Sequence, residues 1–335
     1  MANGQLSHDL ARLITVGNHI AHASTMQPVV LRGVNRSGLE YSAPGPVGFL
    51  AAAGISKAEI EEIVFGWQAK VIRLPFNQEW VLHGCENYSG EDYMTALDTV
   101  IDWAASLGAY TILDLHWLDI STVFGHTADG RTNHVPPLPN PETIALWRTL
   151  AQRYKDEAAV IFDLLNEPHS LLEDDSNPVF LVNESGDLRE SSAQVIEANE
   201  WLPWASRLIS EVRSIGNDSL LFVSGLDWGY DLSGLKVAAQ NIVFSTHVYP
   251  NRRPKDWQRA FGRTAAVAPV FVAEWGGGNG DLDWGARFIS FLNATGLGWA
   301  SWSWTDQPYL VGNAQTADYS PTRFGSMVRR ELMGS

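Results

Sequence analysis

AVIFDLLNEP, residues 159–168, is the stretch on which the fold turns. Its nearly unbroken apolar run, with no alternation of polar residues, suits a strand covered on both faces, as parallel strands in α/β proteins are. It then breaks into Asn166, Glu167 and Pro168, polar and turn-forming groups that packing alone does not require. The same design recurs in PVVLRGVN (28–35), AKVIRLPFN (69–77), AYTILDLHW (109–117), SLLFVSG (219–225), NIVFSTHVYP (241–250), PVFVAEWGG (269–277) and GWASWSWTD (298–306). Between the runs lie segments of helical periodicity: 56–68, 91–108, 141–155, 197–216, 254–267 and 281–296. Several of these open at Ser, Asp or Pro and close near Gly, as helix ends prefer.

Strand and helix repeated eight times at spacings of a few tens of residues predict a closed (β/α)8 TIM barrel rather than a doubly wound sheet. Residues 1–335 read as one catalytic domain: an extension over 1–28 and the barrel over 29–335. In the extension, ITVGNHIAHASTMQP (14–28) reads as a hairpin over the barrel bottom. No G-x-G-x-x-G loop follows the first strand, which argues against a dinucleotide cofactor. The long polar stretches 119–140 and 171–192 follow the third and fourth strands, so they belong to the upper face and are expected to wall a cleft there.

Composition narrows the partners. A formal net charge of -15 and the absence of basic tracts set the chain against nucleic acid. Fourteen Trp supply flat faces suited to sugar rings, although bulky core filling accounts for many of them. A single cysteine, Cys85, excludes an internal disulfide and a Cys-rich metal site. No apolar stretch is long enough for a membrane span, and no export signal is read at the start. An extracellular or periplasmic location with the signal outside this sequence is expected, a cytoplasmic one stays open, and a monomer is expected.

The strand ends carry the candidate chemistry: Asn35, Arg73 with Asn77, His116 with Trp117, Asn166 with Glu167, His247 with Tyr249, Glu274, and Trp304 with Asp306. Convergence of such groups on one barrel face is how active sites of this architecture form. Glu167 and Glu274 stand out because each follows an apolar strand with no basic neighbour in sequence. Hydrolysis of a glycosidic bond with retention needs two carboxyl groups about 5 Å apart, one attacking and one protonating, whereas inversion needs a wider gap. Alternatively, Glu167 is an acid at a helix N-terminus and Glu274 a buried ion-pair partner of Arg73.

From LRGVNRSGLEY through VIRLPFN, ILDLHW, FDLLNEPH, STHVYP and VAEWGG to ASWSWTD, the chain resembles glycoside hydrolase family 5, the cellulase-type retaining glycosidases. The resemblance implies a (β/α)8 barrel with Glu167 as acid/base and Glu274 as nucleophile, and needs no cofactor and no metal. It also implies that Arg73 hydrogen-bonds near the nucleophile, that Asn166 meets the sugar 2-hydroxyl, and that His116 and His247 line the cleavage subsite. Tyr249 would donate to Glu274, and Trp304, or else Trp302, would be the stacking platform. Two departures stand out. GVNRSG carries Arg36 and Ser37 where cellulases commonly carry Trp and Phe, so charge is expected to replace stacking there, and DLHW carries Trp117 where some relatives have Arg. The expected activity is that of an endo-β-1,4-glucanase acting on a polysaccharide or oligosaccharide. Another β-glycanase, an exo-glycosidase or a non-catalytic carbohydrate-binding barrel are the alternatives; a metal-dependent hydrolase would be expected to show an H-x-H pair, which is missing.

Overall fold

The computed structural model describes residues 10–119, 136–169, 171–172, 180–182, 188–190, 192–194, 196–314 and 317–334. Most of the two stretches expected to wall the cleft, 119–140 and 171–192, lies outside the described residues. Eight parallel strands close into a barrel: Arg32–Asn35, Val71–Asn77, Tyr110–Trp117, Val160–Asp163, Leu221–Ser224, Ile242–Val248, Val270–Trp275 and Gly298–Ser301, each paired with the next and the last with the first. Gly33 in the first strand marks a close approach, because a Cβ there would fall 1.7 Å from the Val71 carbonyl oxygen.

Two apolar layers hold the barrel. Inside it, Val71, Ile112, Ile161, Phe222, Val243 and Phe271 fill the lower half. Outside it, the alternate residues Ile72, Leu113, Phe162, Val223, Phe244 and Val272 meet the helices, as period-two alternation on a buried strand demands. The helices Pro141–Arg153, Ala198–Ser214 and Leu282–Thr295 fall within predicted segments, and Gly90–Ser106 begins one residue before its own. Ser89 with Asp92 and Asn140 with Thr143 form capping boxes at two N-termini, and Gly296 closes the last helix in a left-handed conformation.

Two features depart from the reading of the sequence. No regular helix joins the fifth strand to the sixth; residues 225–241 run irregularly, and Tyr230, Leu232 and Leu235 fill the outer layer instead. A C-terminal helix, Arg323–Met333, completes the ring after the eighth strand and was not among the periodic segments. The hairpin is present, with Leu13–Val16 antiparallel to His19–His22. Leu13 and Ile20 cap the interior layer, and Tyr110 at the start of the third strand donates to the Ala11 carbonyl at 2.6 Å. The hairpin therefore plugs the end opposite the strand C-termini. Among the described residues, no helix is long and apolar enough to cross a membrane.

Candidate active site

Arg73 organises the upper mouth of the barrel. It follows Val71 by two residues, so it points inward like Val71, and it is fully buried. Its Nε donates to Asp163 Oδ2 at 3.0 Å, Nη1 to Asn35 Oδ1 at 3.0 Å and to Glu274 Oε1 at 2.7 Å, and Nη2 to Asn166 Oδ1 at 2.8 Å. Asp114 Oδ1 lies 2.9 Å from Nη2. A dry guanidinium costs several kcal/mol unless it is paired, and only arginine offers a permanently charged planar fork for so many partners. Burial works against its charge, but Asp114, Asp163 and Glu274 outweigh that and raise its pKa.

Glu274 reaches the mouth through a β-bulge. Thr246 pairs with Val272 and His247 with Glu274, leaving Ala273 as an extra residue on the seventh strand. Ala273 faces the interior layer and Trp275 the outer one. Strict alternation after Ala273 would turn residue 274 outward, and the bulge returns it inward. There its Oε1 accepts from Arg73 and its Oε2 from the Tyr249 hydroxyl at 2.7 Å. Burial would raise its pKa, but His247, Arg73, His116 and the Tyr249 hydrogen bond together lower it to about 2. It is an anchored, ionised carboxylate.

Glu167 lies past the end of the fourth strand, and no helix begins in the described residues after it until Ala198, so the helix-terminus reading fails. Its Oε1 is 2.8 Å from His247 Nδ1, which is 3.6 Å from Glu274 Oε2. A carboxylate oxygen from each glutamate and a His247 nitrogen lie within 4.8 Å of one another. Burial opposes the charged form of His247, but Glu274 and Glu167 prevail and raise its pKa. The ion pair between Glu274 and Arg73 does exist, and it is part of this site rather than an alternative to it.

His116 follows Asp114 by two residues on the same strand face and contacts its Oδ2 through Nδ1 at 2.6 Å. Burial lowers its pKa, but Asp114, Glu40 and Glu274 raise it to about 9. The Trp302 ring stacks on this imidazole, with centroids 5.3 Å apart and 15° between planes. Trp117, half-buried and 5.7 Å from the Tyr41 ring, lines a cavity of about 90 Å³ with His116, Asn166, Glu167, His169 and Trp228.

Two expectations are corrected. Trp304 is not a platform; it is fully buried and packs edge-to-face on Trp67 at 4.8 Å. The eighth strand ends at Ser301, so strand alternation does not set the directions of Trp302 and Trp304. Of the two, Trp302 is the one at the mouth, stacked on His116. Arg36 does not charge the cleft either; it is 1% exposed, pairs with buried Glu59 at 2.8 Å and donates to Ala53 O and Thr305 Oγ1. Asn77 and Asn35 serve as scaffolding, the first capping the helix Gln78–His83 and the second donating to the Ala273 and Ala300 carbonyls. Asp306 accepts from the Tyr41 hydroxyl at 2.8 Å.

Asp114 and Asp163 were not singled out in the sequence, although both hold Arg73. The available signal was an acid inside an otherwise apolar strand, at inward phase. Two triads, Asp114, His116 and Glu274, and Glu167, His247 and Glu274, come close enough for an ion. Their donor chemistry fits one poorly, because metal-bound histidines must be neutral whereas both have raised pKa values, and Arg73 and Tyr249 already take both oxygens of Glu274.

A family model described as Cellulase (glycosyl hydrolase family 5) matches residues 25–308. Among curated proteins, the chain is 20% identical to Endoglucanase E-5 of Thermobifida fusca, over 83% of this chain and 53% of that protein. It is 26% identical to the major extracellular endoglucanase of Xanthomonas campestris, over 71% of this chain and 53% of that one. The chain thus spans about half the length of these relatives. Among solved structures, a β-glucanase of Saccharophagus degradans in complex with cellotetraose superposes with a TM-score of 0.76 at 21% identity, covering 99% of this chain and 96% of that one. The catalytic domain of a Thermobifida fusca endoglucanase gives 0.71 at 18% identity, covering 96% and 97%.

Proposed function

Since the chain belongs to glycosyl hydrolase family 5, we propose that it is a retaining endo-β-1,4-glucanase that works through Glu274 and Glu167. The observation that carries this reading is the close approach of the two carboxyl groups, whose oxygens come within 4.8 Å with His247 between them. That close approach supports direct attack by one carboxylate over the wider separation that the water of an inverting enzyme needs.

In the first step a Glu274 oxygen bonds to the anomeric carbon while the bond to the leaving oxygen breaks and Glu167 gives that oxygen its proton. In the second, Glu167 takes a proton from water, the water oxygen bonds to the anomeric carbon, and Glu274 is released. Arg73 and Tyr249 hold Glu274 ionised and aimed. Asn166, fixed by Arg73 through its Oδ1, turns its amide toward the sugar. His116 and His247 border the subsite, and Trp302 offers its face beneath the ring. The complex of a similar β-glucanase with cellotetraose supports a β-1,4-linked oligosaccharide as ligand, and the extracellular relative supports secretion.

The test is a reducing-sugar assay on carboxymethyl cellulose, mixed-linkage glucan, mannan, xyloglucan and xylan, with products sized over time. Early release of mixed oligosaccharides from the glucans with retained anomeric configuration is expected. Monosaccharide as the first product, or turnover confined to another polymer, would reject the endo-glucanase assignment.

A further inference from the structure

Asp227, Trp228 and Gly229 follow one another in the left-handed backbone region, at φ of 56°, 61° and 71°. Glycine takes this conformation freely; a Trp seldom does, and such a run persists only where its surroundings hold it. Reciprocal backbone bonds between Leu226 and Asp231 close the turn, and Arg252 clamps its tip: Nη1 donates to Asp227 Oδ2 at 2.7 Å and Nη2 to the Asp227 carbonyl at 2.8 Å. The guanidinium also lies over the Tyr230 ring, 4.4 Å from its centroid.

We infer that Arg252 is a positioning residue for the acid/base end of the active site, acting through this turn; the inference rests on the role proposed above for Glu167. Contacts that the turn makes inward end beside that glutamate. The Trp228 N–H donates to the Pro168 carbonyl at 3.2 Å. The Trp228 ring stacks on His169 with centroids 3.9 Å apart, and His169 Nδ1 is 2.7 Å from the Glu167 carbonyl oxygen. The Gly229 carbonyl accepts from the His247 N–H at 3.1 Å. Gly229 also lies so close to that imidazole that a Cβ would sit 2.8 Å from Cγ. His247 is the residue bonded to the Glu167 carboxyl.

Arg252 is tied to the nucleophile's side as well. It lies three residues after Tyr249 and its N–H donates to the Tyr249 carbonyl at 2.8 Å. One loop therefore carries the hydroxyl that holds Glu274 and the guanidinium that fixes the turn behind Glu167. Lysine cannot reproduce this, because the clamp needs two donors in a fixed fork.

The experiment compares Arg252→Ala, Arg252→Lys and Asp227→Gly on two substrates. Cellotetraose needs a proton delivered to a poor leaving group, and 2,4-dinitrophenyl cellobioside does not. Arg252→Ala is expected to lower kcat/KM on cellotetraose about tenfold or more, and to leave kcat/KM on the aryl glycoside, which reports only the steps up to the intermediate, within about twofold. Arg252→Lys should recover only part of the loss. Asp227→Gly accepts the left-handed conformation without strain and removes the clamp's carboxylate, so it should show the same selective loss with an unchanged melting temperature. It also decides the matter if Arg252→Ala does not fold. Equal losses on both substrates, or none on either, would overturn the inference, whereas a wild-type protein inactive on cellotetraose would instead reject the proposed function.

Discussion

Removal of the Tyr249 hydroxyl should move the acid limb of the reaction. Tyr249→Phe deletes one O–H···O⁻ bond of 2.7 Å to Glu274 and leaves the Arg73 contact on the other oxygen. A hydrogen bond to a charged group is worth about 1.5–3 kcal/mol. At 1.36 kcal/mol per pKa unit, the loss raises Glu274 by roughly one to two units. Glu274 starts at about 2, so in the variant it would titrate at roughly 3–4. A carboxylate with a depressed folded-state pKa keeps its ionised form above that value and loses it as pH falls through it. The variant should therefore lose kcat/KM from pH 4 downward, in a range where the wild type still turns over. At pH 7 Glu274 stays ionised in both, so any difference there reports aim rather than charge. The assay is kcat/KM on 2,4-dinitrophenyl cellobioside between about pH 2.5 and 8, a substrate chosen to spare Glu167's proton, with activity rechecked after return to pH 6 to exclude unfolding. Acid limbs that coincide for the two proteins would refute the role given to this hydroxyl.

Glu274→Ala should abolish turnover on every substrate, whereas Glu167→Ala should retain part of the activity on aryl glycosides with good leaving groups; equal loss on those would reverse the assignment of roles. Trp302→Ala should raise KM for cello-oligosaccharides about tenfold or more with little change in melting temperature, because the ring supplies contact area and not core packing. Trp304→Ala should do the opposite and cost about 3–5 kcal/mol in urea unfolding, as large-to-small core changes do, with KM unchanged in the folded fraction. Arg36→Met strands Glu59 in the core and should destabilise by about 3–5 kcal/mol without altering KM; a changed KM would return Arg36 to the cleft.

The barrel was legible because parallel strands covered on both faces cannot carry polar alternation, and eight such runs leave few other architectures. Strand ends were read too long. AVIFDLLNEP pairs as a barrel strand only over Val160–Asp163, yet Leu164 and Leu165 beyond it are just as buried and apolar. A chain that crosses over a packed mouth looks like strand in composition. The glutamates were visible because a lone acid after an apolar run has no packing purpose. Asp114 and Asp163 have an equally clear purpose, but it is revealed only by Arg73 across the barrel. The expectations for Trp304 and for Arg36 both rest on a place in a motif, which is not a place in space: the barrel strand ends at Ser301, and Arg36 turns into the core. Its partner Glu59 stands 23 positions away on a helix.

Ala273 has no functional group, yet it decides which way Glu274, the nucleophile of the proposed mechanism, looks. Below it, the seventh strand keeps time with its neighbours and its alternate side chains fill the two apolar layers. Above it, the phase is advanced by one residue, so the catalytic half of the strand runs on a different clock from the structural half. Substitution at 273 disturbs volume and leaves the phase intact. Closing the bulge with Ala273 retained, so that it and not Glu274 paired with His247, would exchange the directions of Glu274 and Trp275, whereas deletion of Ala273 would straighten the strand and leave both as they are. The direction of Glu274 is thus set by the register of this strand against its neighbour and not by the identity of the residue that bulges.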